Sequence, residues 1–170
     1  GVNTYWLSKP LRTAIQHRHS VSVAGGTEAF RYSLDVNAAM QPGVMKESEN
    51  QTKGVNFNMT YMKDKFTMRA NVSVSESDSK NSPYGSFSQY TRLNPYYIPT
   101  DANGKPQKVL DNNTVSGQST VITNPLYDAT VGIKDLTNSL NVTTSIGLEY
   151  MILKNLRITE QFSYSRGMAG

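Results

Sequence analysis

The residues that could do chemistry are few and poorly assembled. His17 and His19 are the only histidines. On a strand, residues i and i+2 share a face, so the two imidazoles make a geometrically feasible metal pair. The sequence suggests no third ligand, and zinc takes three or four. No metal site is expected, and polar side chains at a strand end are the simpler reading. Ser, His and Asp all occur, but no Gly-x-Ser-x-Gly or comparable nucleophile context surrounds a serine. Gly25-Gly26 reads as a hairpin turn and not as a phosphate-cradling loop. Glu149 and Glu160 could be offered as an acid/base pair of the glycosidase type. The chain has no cysteine, which removes disulfides, thiolate metal sites and cysteine nucleophiles. No catalytic residue and no cofactor are therefore expected.

The elements that must carry these residues are strands. In Phe30–Met40 every even position is apolar (Phe30, Tyr32, Leu34, Val36, Ala38, Met40), against Arg31, Ser33, Asp35, Asn37 and Ala39. Val55, Phe57, Met59 and Tyr61 alternate with Asn56, Asn58 and Thr60. Phe66, Met68, Ala70, Val72 and Val74 alternate with Thr67, Arg69, Asn71, Ser73 and Ser75. Leu140–Tyr150 and Leu156–Ser165 repeat the pattern, and His19, Val21 and Val23 mark a weaker first strand. Over the five clear stretches, 24 of 26 apolar-phase positions are apolar, and 1 of 23 in the other phase. At the chain's 37% hydrophobic content, roughly ten would be expected in each. Side chains alternate across a strand, so each segment has one apolar and one wet face. By the same rule Glu149 and Glu160 fall on opposite faces, which defeats the acid/base pair. Glu160 and Thr144 are the polar exceptions on the apolar face.

Two architectures give such a pattern. A soluble sandwich turns the apolar face into a core and would act as a surface-exposed binding or adhesion module. A transmembrane barrel turns it to lipid. Three features favour the barrel. The wet face is rich in Arg, Asn, Thr and Ser. Phe30–Met40 and Leu140–Tyr150 run to membrane-crossing length, about 9–11 residues, where a typical globular strand has about 5–6. Hairpin-length links (25–28, 62–65, 152–155) alternate with longer ones (41–53, 76–138), as the short periplasmic turns and long extracellular loops of outer-membrane barrels do. The expected organisation is a linker over 1–16 and a partial barrel over 17–170. Its hairpins lie near 17–41, 54–75 and 139–165, with an extracellular loop over 76–138. The fold class is all-β, an antiparallel up-and-down meander of about six long strands.

Arg31, Asp35, Asn37, Asn56, Asn58, Arg69 and Asn71 are the candidates for facing a lumen. The aromatic cluster Tyr84, Phe87, Tyr90, Tyr96 and Tyr97 in the long loop has two readings. Such rings stack on sugars or pack against a lid protein, and they also anchor a long loop on itself; the second reading is preferred. The net charge of +4 comes from 17 scattered basic and 13 acidic residues, which gives nucleic-acid binding little support. No run of about 18 apolar residues is present, so no transmembrane helix is expected. The opening Gly1-Val2-Asn3-Thr4 is not a signal peptide. Six strands cannot close a membrane barrel, for which about eight is the lower bound, and open edges are not tolerated in hydrocarbon. The chain is expected to be a piece of a larger barrel.

Several local words carry a resemblance. Asn3-Thr4-Tyr5-Trp6, Leu11-Arg12-Thr13-Ala14 and His17-Arg18-His19-Ser20-Val21-Ser22-Val23-Ala24-Gly25-Gly26-Thr27-Glu28 occur in that order. Arg31-Tyr32-Ser33-Leu34, Gln41-Pro42-Gly43-Val44-Met45-Lys46, Leu93-Asn94-Pro95-Tyr96-Tyr97-Ile98-Pro99-Thr100-Asp101 and Asn124-Pro125-Leu126-Tyr127-Asp128-Ala129 follow. Together they resemble the start of the barrel in SusC/RagA-type TonB-dependent transporters of Bacteroidetes, just after the plug domain. Tyr5 departs from the Asp usual there. The resemblance implies a barrel of about 22 strands in the outer membrane, importing glycans or peptides. It further implies an N-terminal plug that contacts TonB, a SusD-like lipoprotein as lid, and lipid around the wall. This chain would supply only the first six or so strands, without the plug.

Overall fold

A computed structural model describes residues 2–115, 118–132 and 135–170. Of the expected linker, Gly1 lies outside the described residues; of the expected loop, residues 116, 117, 133 and 134 do.

Six strands form one antiparallel sheet: β1 (His17–Gly26), β2 (Phe30–Pro42), β3 (Glu49–Lys63), β4 (Phe66–Lys80), β7 (Leu136–Leu153) and β8 (Leu156–Ala169). They lie side by side in the order β1-β2-β3-β4-β7-β8, so the meander is interrupted only between β4 and β7. That interval holds α1 (Phe87–Thr91), a two-stranded sheet of β5 (Val109–Val115) and β6 (Gln118–Thr123), and α2 (Pro125–Asp128). The all-β expectation is met.

The turns follow from local chemistry. Gly26 has φ +132°, and an added Cβ there would meet the Phe30 carbonyl oxygen at 2.0 Å, so only glycine fits. Thr27 closes the turn: its N–H donates to Phe30 O at 2.6 Å and its Oγ1 accepts from Phe30 N at 3.2 Å. Asp64-Lys65 joins β3 to β4 with Asp64 at φ +52°, a left-handed position that Asp tolerates in two-residue hairpins. Lys154-Asn155 joins β7 to β8.

Strands run further than apolar alternation reaches. β3 starts at Glu49 and β4 continues to Lys80, which leaves 43–48 as the link between β2 and β3. The expected hairpin over 54–75 is thus longer, and the expected loops over 41–53 and 76–138 are shorter. Beyond Val55 and Val74, and at Asn138 beyond Leu140, the apolar-phase positions turn polar, but they still find partners across the strands. Lys53 Nζ pairs with Glu76 Oε2 at 3.3 Å, and Asn138 donates to Asp78. The backbone ladder does not need an apolar face in order to continue.

The chain clusters into two compact units. One comprises Gln16–Gln41, Asn50–Ser79 and Thr137–Gly170, the long strands; the other comprises Gly1–Ile15, Pro42–Glu49 and Lys80–Leu136. Among the described residues, many on the apolar face of the first unit are exposed. Val21 is 63% exposed, Ile158 58% and Phe162 55%, and Phe30, Leu34, Val36, Val55, Val72 and Ile146 are exposed as well. Among the described residues the buried hydrophobic ones are Trp6, Ala39 and Tyr90. Ala39 is the lone apolar residue of the wet phase in the five stretches of clear alternation. The sandwich alternative required the apolar phase to be the buried one, and that is not observed.

The second unit is held by polar contacts to backbone. Trp6, 3% exposed in a 3-10 turn (Trp6–Ser8), donates from Nε1 to Asn94 O at 2.9 Å. Thr4 donates from N to Pro95 O at 2.7 Å and from Oγ1 to Tyr97 O at 2.9 Å. Arg12 donates to Gly43 O at 3.2 Å and Ser48 O at 2.7 Å. Asn124 is fully buried: Nδ2 donates to Pro99 O and Gln107 O at 2.8 and 2.7 Å, and Oδ1 caps α2 by accepting from Leu126 N at 3.1 Å. Pro125 follows as the first helical residue, where its missing N–H costs nothing. Residues 2–15 are therefore built into this unit and are not a free tether. Asn3-Thr4-Tyr5-Trp6, Asn94-Pro95-Tyr96-Tyr97 and Asn124-Pro125, distant in sequence, form its framework.

Candidate functional site

The long-strand unit presents two chemically distinct faces. Pairing of β1 with β2 sets Ser20 against Asn37 and Ser22 against Asp35 on one face, and Val21 against Val36 and Val23 against Leu34 on the other. Pairing of β7 with β8 sets Thr143 against Ser165, Ser145 against Ser163 and Gly147 against Gln161 on the wet side. Ile146 against Phe162 and Tyr150 against Ile158 lie on the apolar side.

Side-chain hydrogen bonds knit the wet face across strands. Ser22 Oγ donates to Asp35 Oδ1 at 2.5 Å. Asn58 Nδ2 donates to Ser33 Oγ at 3.3 Å. Asn71 Nδ2 donates to both Asn56 Oδ1 and Asn58 Oδ1, at 2.8 and 2.7 Å. Asn37 lies against Gly54, where a Cβ would come within 2.9 Å of its amide nitrogen. Arg69 Nη1 reaches Glu149 Oε2 at 3.6 Å. Arg31 sits opposite Gly26 at the turn end. Asp35, Asn37, Asn56, Asn58, Arg69 and Asn71 therefore belong to one polar surface. It holds two open grooves, of about 320 and 390 Å³; Asn37, Asn56 and Asn141 line the first, Asn58, Arg69 and Glu149 the second. Hydroxyls, amides and paired charges on a sheet bind and solvate polar solutes; among the described residues no nucleophile, base and orienting group converge on this face.

The apolar face forms a band. On β4 it runs from Phe66 to Val74 and ends in Glu76 and Asp78. Aromatic rings gather at its short-turn end. Phe30 and Tyr32 lie 6.0 Å apart, Tyr61 and Phe66 meet edge-on at 6.5 Å, and Tyr150 stands near the β7–β8 turn. Amphipathic rings concentrate at membrane–water interfaces. Glu160 is exposed within this band opposite Leu148, while Glu149 faces the other way, opposite Thr159. His17 and His19 have ring centroids 6.0 Å apart, and no group of three or more potential ligands occurs among the described residues.

The loop aromatics are spread through the second unit. Tyr90 is 1% exposed, and its hydroxyl donates to Tyr84 O at 2.8 Å. Burial pushes its phenol pKa up, reinforced by Tyr84 and Asp128. Tyr84 lies under Lys46 Nζ, 5.8 Å from the ring centre. Tyr96 is 73% exposed and Phe87 41%. Tyr97 has its phenol raised by desolvation and by the neighbouring Asp111. The resemblance quotes Asn124 without a role, because that role depends on carbonyls from two distant segments. Sequence reasoning missed Arg157, whose Nη1 approaches Glu149 Oε1 at 3.8 Å. The signal for Arg157 was available in its wet-phase parity.

No known protein family matches the sequence, and no curated protein matches it. Solved structures do. A chain of the RagAB peptide importer in the "closed-closed" state superposes with a TM-score of 0.75 at 19% identity, over 98% of this chain and 19% of that one. The "open-open" state gives 0.75 at 16% identity, over 98% and 19%. A further RagAB peptide transporter structure gives 0.71 at 18%, over 99% and 20%. This chain thus has the fold of a piece of those chains and spans about a fifth of their length.

Proposed function

We propose that this chain is a wall segment of a SusC/RagA-type, TonB-dependent importer of the bacterial outer membrane. The carrying observation is the six-stranded sheet whose apolar face is exposed among the described residues, while its other face is a hydrogen-bonded polar surface. In water such a face is a liability; against lipid it is the stable arrangement. The likeness to RagAB importer chains supports the same reading, as do the sequence words above.

In this reading the strands are barrel wall, and Arg31, Asp35, Asn37, Asn56, Asn58, Arg69 and Asn71 face the lumen. The segment between the fourth and fifth long strands is an extracellular loop. Its exposed rings, Tyr96 and Phe87, and then the half-buried Tyr84 and Tyr97, meet substrate or a SusD-like lipoprotein lid; Tyr90 supports them from inside. The remaining barrel, the plug and, through the plug, TonB are the other partners. The solute is a peptide or a glycan, and the chain performs no catalysis. Detergent dependence tests this. Extraction of the complete protein from outer membranes only with detergent supports the proposal. A detergent-free, monomeric chain with a sharp two-state melt refutes it.

A further inference from the structure

We propose that Arg69, Glu149 and Arg157 form a binding site for a single carboxylate group on a solute moving along the polar face. The inference rests on the transporter reading and assigns a ligand chemistry to one place on its wall. Glu149 lies on β7 between Arg69 on β4 and Arg157 on β8. Its two oxygens are divided between the guanidinium groups, Oε2 to Arg69 at 3.6 Å and Oε1 to Arg157 at 3.8 Å. Both separations exceed normal hydrogen-bond length, so the carboxylate orients the arginines without consuming their donors. Each guanidinium carries five N–H donors in a planar fork suited to carboxylate.

Exposure points the same way. The Glu149 side chain is 22% exposed, whereas Arg69 and Arg157 are 61% and 69% exposed, so the free donors face open space. Arg69 and Glu149 line the groove of about 390 Å³, and Arg157 joins them through its approach to Glu149. Open space lies at Gly147, where an added Cβ would meet nothing within 4 Å. Thr60, Ser145 and Gln161 line the groove with further hydroxyl and amide groups that suit the rest of a polar solute. Charge selects the ligand class. Two guanidiniums and one carboxylate leave a single positive charge, which a monocarboxylate neutralises and a dianion overshoots. A peptide C-terminus and a uronic acid both offer that group.

The test is calorimetric binding to the complete protein in detergent, at low and high salt. The probes are N-acetyl-trialanine and its C-terminal amide, and galacturonate and its methyl ester. A free acid binding at least tenfold more tightly than its neutral partner, with the preference lost in Arg69→Gln/Arg157→Gln and weakened by salt, supports the site. Which acid binds identifies the source. Equal binding of acid and neutral form, no binding of either acid, or an acid preference that survives the double substitution overturns it. The acid-to-neutral comparison on the unsubstituted protein needs no variant to fold. Detergent-dependent extraction with no acid preference would remove this site and leave the transporter reading standing.

Discussion

A charge placed at the middle of the apolar band should cost far more than the same charge placed three residues along on the other face. On β4 the band runs from Phe66 to Val74. At about 3.3 Å per residue its nine residues span roughly 30 Å along the strand. A tilt of about 40° makes that roughly 23 Å across a bilayer, close to the band of about 25 Å that outer-membrane barrels present. Ala70 is the central apolar-phase position, about 11 Å from either edge by the same geometry. Ala70→Arg should therefore destabilise the complete protein in lipid vesicles by about 2–4 kcal/mol, or roughly 30- to 1000-fold in the unfolding equilibrium. Ser73→Arg, on the same strand among the hydroxyls and amides of the wet face, should stay within about 0.5 kcal/mol. Equilibrium denaturant unfolding, followed by circular dichroism in vesicles, measures both. Equal costs for the two variants would refute the lipid-facing assignment.

Three further outcomes follow from individual residues. Glu160→Leu removes an exposed carboxylate from the apolar band and should raise stability in vesicles by about 1 kcal/mol or more; a loss would show that Glu160 has a partner there. Asn124→Ala strips the Pro99 and Gln107 carbonyls and the Leu126 amide of their partner at a fully buried site. It should cost about 3 kcal/mol or more, read as faster proteolysis within 80–136 while the long strands stay protected. Tyr90 holds its phenol proton above the ordinary value of 10.0 because it is buried. Its contribution is full below pH 10 and lost as pH rises, since the unfolded chain ionises first. Tyr90→Phe should flatten the alkaline fall in stability of that unit, and an unchanged pH profile would show that another group is responsible.

The strands were legible in the sequence because one physical demand, an apolar face every second residue, is written into each of them. Their ends were not. At Lys53, Glu76, Asp78 and Asn138 the alternation changes character while pairing continues, so apolar periodicity stops short of the ladder. The second unit was illegible for a different reason. It is held by Trp6, Thr4, Arg12 and Asn124 reaching backbone carbonyls of distant segments, and such contacts leave no period. The words of the resemblance marked these residues without revealing what they do. On the wet face, parity alone put Arg69, Glu149 and Arg157 on one side. The meander made β4 and β7 neighbours across the long intervening segment, but the register that brings these side chains level is stated by no local pattern.

The central claim is that one face of the long-strand sheet meets lipid and the other meets water. The sequence contains no cysteine, so single cysteines can be placed one at a time from Leu140 to Tyr150 and spin-labelled in the complete protein, otherwise cysteine-free, in vesicles. Strict alternation is predicted. Even positions should collide with dissolved oxygen in the bilayer, and odd positions with a water-soluble nickel chelate. Accessibility that is uniform along the strand, or alternation in the opposite phase, would contradict the assignment.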